Sequence, residues 1–105
     1  MLYPLTTPES SSYHNVKITT TPFKLIQLCE KYDIPFFTQN DGEDKTNFDF
    51  AFNYNNELKF YVYDWKEYRP LSLSEYVDFH IGAIDGLQSY KALKVLEKEI
   101  QRLED

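Results

Sequence analysis

The sequence predicts a small α+β fold in which an antiparallel sheet carries two helices. Three observations lead there. Phe48, Phe50, Phe52 and Tyr54 alternate with Asp49, Ala51 and Asn53, and Leu58, Phe60 and Val62 alternate with Lys59, Tyr61 and Tyr63. A period of two marks a half-buried strand. Asn55-Asn56 sits between these runs, and asparagine tolerates the positive φ that a tight hairpin turn demands. Apolar residues recur at helical spacing on both sides of the hairpin: Leu25, Ile26, Cys29 and Tyr32 before it, Leu93, Leu96, Ile100 and Leu103 after it.

The elements follow in chain order. Residues 1–13 are rich in Pro, Ser and Thr and are expected to form a loose arm, leaving 14–105 as one α+β domain. Val16 and Ile18 alternate with Lys17 and Thr19, which predicts a short edge strand. Thr21-Pro22 opens the first helix: Thr caps free amide groups, and Pro suits the first helical position because its missing N–H is not needed there. Ile34-Pro35 closes that helix, since the residue before Pro disfavours the α conformation; the prediction is a helix over 22–33. Pro35 to Gln39 reads as a short strand, and Asn40 to Asn47 as a polar, acidic loop containing Asp41-Gly42. The central hairpin is placed at 48–54 and 58–65. Arg69-Pro70 breaks its second strand. Val77, Phe79 and Ile81 then alternate with Tyr76, Asp78 and His80, so 66–86 reads either as an insertion loop or as a loop with one more short strand. Gly86 reads as a turn, and the second helix as 87–104, in all an αβββα order or a close variant.

Hairpin register decides which side chains meet. A two-residue turn at Asn55-Asn56 gathers Asp49, Asp64 and Lys66 on one face. A three-residue turn at 55–57 pairs Phe52 with Phe60 and Phe50 with Val62, giving one apolar face and sending Asp49 to the other. A buried face specifies register strongly, so the second is expected.

Composition narrows the function classes. The chain has 105 residues, nine Tyr, eight Phe and a net charge of −6. That length holds one core, and so many rings give it ample area to bury. The acidic balance opposes phosphate-backbone binding, which draws its affinity from Lys and Arg. It favours a protein partner, one with a basic surface above all, and disfavours nucleic acid. A lone cysteine, Cys29, forms no intrachain disulfide, and with no signal-peptide pattern at the start a cytoplasmic location is expected. The longest apolar run, Phe60 to Tyr63, is too short to span a bilayer. No membrane, metal or cofactor is expected.

From Pro22 onward the element order resembles that of the double-stranded-RNA-binding domain. Pro22, Leu25, Ile26 and Cys29 resemble its first helix, Pro35 and Phe37 its first strand, Gly42 its loop glycine, and Phe48, Phe50 and Phe52 its second strand. Ser89, Lys91, Ala92 and Lys94 resemble the start of its second helix. The resemblance implies duplex RNA on a basic stripe of Lys91, Lys94 and Lys98. The chain departs from that family at Leu28, where the family has an acidic contact, and in the acidic loop Asp41, Glu43 and Asp44, which would repel phosphates. In general character the chain is similar to small phage accessory and inhibitor proteins.

Three functions are therefore ranked. The leading expectation is a non-catalytic protein-interaction module, an inhibitor or accessory protein of a larger partner that itself processes nucleic acid, with Tyr61, Tyr63, Trp65, Tyr68, Arg69 and Tyr76 as its contacts. Trp, Tyr and Arg dominate interface hot spots, and self-association through the same rings is the other form this takes. The runner-up is RNA binding through Lys91, Lys94 and Lys98. The third is a metal-dependent nuclease with Asp49 and Asp64-Trp65-Lys66 as a D…DxK site, which the expected register disfavours; no residue is assigned as catalytic. Cys29 is expected in the core, and His14 and His80 have no partner at a recognisable spacing.

Overall fold

A computed structural model of the chain describes residues 1–6 and 11–104. In order, the elements are β1 Leu2–Pro4, β2 Ser12–Thr20, α1 Pro22–Lys31, β3 Phe37–Thr38, β4 Phe48–Tyr54, β5 Leu58–Tyr63, β6 Val77–Ala83 and α2 Gly86–Leu103. The strands form one antiparallel sheet in the order β1-β4-β5-β6-β2, with β3 sharing the outer edge of β4 with β1. The fold class is the α+β arrangement the alternation predicts.

The hairpin takes the three-residue turn, pairing Phe50 with Val62 and Phe52 with Phe60. Asn55 and Asn56 have φ of 53° and 60°, values that asparagine adopts more readily than most residues. Val62 lies opposite Ile81, and Ile18 opposite Phe79. One sheet face therefore carries the Phe row of β4, Phe60, Val62, Phe79, Ile81 and Ile18, all buried. α2 covers that face across β2, β5 and β6, and α1 packs against α2. Leu25, Leu28 and Cys29 of α1 and Ala92 and Leu96 of α2 complete the core.

Both helix starts are capped. The Thr21 hydroxyl oxygen accepts from Lys24 N at 3.2 Å, and an Asp85 carboxylate oxygen accepts from Gln88 N at 2.8 Å.

The structure corrects several expectations. Leu2–Pro4 is not part of a loose arm: it pairs with β4 and its Leu2 is buried, so a strand of three residues is held by one core side chain. Ser12 and Tyr13 likewise belong to β2, whose pairing with β6 is shifted by a bulge between Tyr13 and Lys17. Residues 7–10 of the expected arm lie outside the described residues. From Pro22 the order is αββββα rather than αβββα, because Val77, Phe79 and Ile81 give β6 an apolar edge that the core takes up. β5 stops at Tyr63, two residues early, because the Asp64 carboxylate turns into the neighbouring loop. α1 ends at Lys31, where Asp33 turns left-handed (φ 55°) and Ile34 N donates to Cys29 O at 2.8 Å. Gly86 is the first residue of α2 rather than a turn.

Candidate interaction face

The sheet face turned away from the helices carries the odd-numbered residues of β4 and β5 and the even-numbered residues of β6. Asp49 pairs with Tyr63, Tyr63 with His80, and His80 with Lys17. The bulge in β2, with Asn15 at φ 64°, brings Tyr13 over the same site. Four rings meet there. Tyr13 stacks on His80 at 4.1 Å between centroids, Tyr63 lies 5.6 Å and Trp65 6.4 Å from His80, and Tyr63 meets Trp65 edge-on at 6.0 Å. Trp65 remains 40% exposed, so the cluster is open at its rim. Burial, aided by Lys17, lowers the pKa of His80, which disfavours charge on the ring at the centre of the patch.

Charges of both signs surround the rings. The Lys45 and Lys66 ammonium groups lie 5.9 and 5.6 Å from the Trp65 ring centroid. Asp49 is half-buried; burial raises its pKa, against the Thr46 hydroxyl that donates to it at 2.7 Å.

Trp65 is positioned by two loops zipped together. The Asp64 carboxylate is fully buried and accepts from Asn47 N at 2.8 Å, Phe48 N at 2.8 Å and Asn47 Nδ2 at 3.0 Å. Asn47 Nδ2 also donates to Arg69 O, and its Oδ1 accepts from Gly42 N. Asn40 holds the Leu71 backbone in both directions, at 2.7 Å each. Lys66 N donates to Lys45 O at 2.7 Å, with Lys66 itself at φ 56°. A left-handed lysine is uncommon and persists only where its surroundings fix it; here the loop pair does so.

The structure brings together Tyr61, Tyr63 and Trp65 of the predicted contacts and separates the other three. Tyr61 is on the same face, half-buried, beside a shallow apolar cleft of about 370 Å³ lined by Pro35, Phe36 and Phe37. Tyr68 is exposed on the loop. Arg69 is bound by both guanidinium nitrogens to Glu75 at 2.9 and 2.8 Å, which holds the Glu75 carboxyl down to about 2. Tyr76 lies beside Lys24, 5.9 Å from ammonium to ring, near the start of α1. Tyr13 and His80 were not among the predicted contacts. The alternation of β6 points His80 away from the core, but Tyr13 reaches it only through the long-range pairing of β2.

The nuclease arrangement does not form in this register. Asp49 faces the rings, while the Asp64 oxygens are taken up by backbone and Asn47 N–H groups. Among the described residues no cluster of three His, Cys, Asp or Glu is placed to hold a metal. Cys29 is buried on α1, with its thiol pushed up to about 12 by burial. His14 shares a hydrogen bond with Ser12 Oγ at 3.0 Å. Lys91, Lys94 and Lys98 are exposed along α2, with Lys94 3.5 Å from Glu97. Among the described residues no helix is long and apolar enough to cross a membrane. Comparison with protein-family models, with curated proteins and with solved structures gives no match to this chain.

Proposed function

We propose that this protein is a non-catalytic interaction module that docks on a larger protein through the helix-free sheet face at Tyr13, Tyr63, Trp65 and His80. The observation that carries this reading is the ring cluster itself: Tyr13, Tyr63 and Trp65 each lie 4.1 to 6.4 Å from the His80 ring, on the face the helices leave uncovered, with Trp65 open to solvent. Trp and Tyr anchor interfaces because they bury large areas and lose few rotamers on binding. Anchors already in contact through His80 are ordered before the partner arrives, which lowers the entropic cost of association. The net charge of −6 favours a partner with a basic surface, chiefly by raising the association rate.

Trp65→Ala tests this. The ring is partly exposed, so its loss should change folding stability by no more than about 1 kcal/mol. Affinity capture from extracts of the native host, compared quantitatively between wild type and Trp65→Ala, should recover a protein that the variant loses by about tenfold or more, the 1.4 kcal/mol of a modest hot spot. Equal recovery by both proteins contradicts the reading. A concentration-dependent dimer that Trp65→Ala abolishes, seen by sedimentation velocity, would instead make a second copy the partner.

A further inference from the structure

α2 is segregated by charge along its two flanks. The flank facing β2 carries Glu97, Gln101 and Glu104, with Glu104 paired to Lys24. The opposite flank carries Lys91, Lys94, Lys98 and Arg102 and borders a groove against Tyr54 at the end of β4. Two adjoining clefts of about 150 and 380 Å³ share Tyr54, Lys94 and Val95, so the groove runs from Tyr90 to Arg102. Eleven helical rises from Lys91 to Arg102 span about 16 Å, the length of about five extended residues.

The end of the groove is built around a buried carboxylate. Glu99 is 2% exposed, yet it is a charged residue in a small core. The Tyr32 hydroxyl donates to its Oε2, and Arg102 Nη1 donates to its Oε1 at 3.1 Å. Burying a carboxylate is costly unless it is paired. This pairing engages Nη1 of the Arg102 guanidinium and leaves the rest of an exposed side chain at the groove. An arginine held by one carboxylate is preorganised to present its remaining donors to a second anion.

We infer that this groove binds an acidic, apolar-anchored segment of a protein, with carboxylates on Lys94, Lys98 and Arg102 and an apolar side chain against Leu58, Val95 and the Tyr54 ring. Four cations on one rim of an acidic chain supply the charge complementarity: Lys94 lies 3.5 Å from Glu97 and Arg102 pairs with Glu99, while Lys91 and Lys98 are exposed, and Glu57 is the one exposed carboxylate among the described lining residues. The apolar floor favours a peptide over a phosphate backbone, whose affinity comes from cation contacts without an apolar anchor. The surface is separate from the ring cluster and does not rest on it.

Fluorescence anisotropy at low salt tests the inference, using a fluorescein-labelled Glu-Glu-Leu-Phe-Glu-Leu-Glu peptide, the same peptide with Gln at every Glu, and labelled oligo(dT) and duplex RNA. The Glu peptide should bind saturably and the Gln peptide about tenfold more weakly or not at all. Lys98→Glu, an exposed substitution, should weaken the Glu peptide by a similar factor, Lys91→Glu should act in the same direction, and Arg102→Gln should do so with Glu99 left in place. Trp65→Ala should leave the binding unchanged. The inference is overturned by equal binding of the two peptides, by indifference to Lys98→Glu and Lys91→Glu, by no saturable binding, or by tighter binding of either nucleic acid.

Discussion

Asp64→Ala is expected to cost the fold about 3–5 kcal/mol, because three buried donors lose a charged acceptor at once and each unsatisfied group costs about 1–3 kcal/mol. The donors are Asn47 N, Phe48 N and Asn47 Nδ2, which join the loop before β4 to the loop after β5. In a chain of this size that loss lowers Tm by on the order of 15 °C. Asp64→Asn retains one acceptor oxygen and should fall between wild type and alanine. Thermal unfolding followed by circular dichroism checks the order. A Tm within a few degrees of wild type for Asp64→Ala would mean that the carboxylate does not hold the loops. A sequence reading treats an Asp in a D-x-K triplet as chemistry; in this fold it is a backbone clamp.

Gly42→Ala is the second large effect. Gly42 has φ +77°, and an added Cβ would lie 2.6 to 2.9 Å from the Arg69 backbone. The left-handed conformation costs a residue with Cβ about 1–2 kcal/mol, and backbone has no rotamer by which to move aside. A combined loss of about 2–4 kcal/mol is expected. Asn47 ties Gly42, Arg69 O and Asp64 together, so relief of the clash parts the same two loops and shifts Trp65. As the only tryptophan in the chain, Trp65 reports this directly: native-state emission should move to the red together with a lower urea midpoint. An unchanged midpoint and unchanged emission would show that the loops accommodate the methyl group.

Much of the fold could be read from the chain because its signals are local. The Phe48-Phe50-Phe52 and Leu58-Phe60-Val62 runs each state a face, and the choice between registers follows from keeping both faces apolar. The Thr21-Pro22 start of α1 is likewise a local device, a side-chain cap beside a residue with no N–H to satisfy. What escaped the reading is non-local. Leu2-Tyr3-Pro4 has too few residues to display a period, and only its pairing with Phe52, Asn53 and Tyr54 makes it a strand. Tyr13 joins His80 across a β2–β6 pairing and a bulge, neither of which the spacing of residues records. Arg69 and Tyr76 are drawn to Glu75 and Lys24, so part of a segment that reads as one aromatic stretch is distributed over different surfaces.

The claim that the ring cluster is the contact surface is tested most directly by site-specific photocrosslinking. A p-benzoylphenylalanine placed at Tyr63 or Trp65 reports what covers the sheet face, and one at Phe23, exposed on α1 on the helix side, serves as the control. Irradiated in extracts of the native host, the first two should yield a protein adduct of one discrete mass, insensitive to nuclease, and the Phe23 position should not. An adduct from Phe23 alone, a nuclease-sensitive adduct, or no adduct at either sheet position would contradict the account.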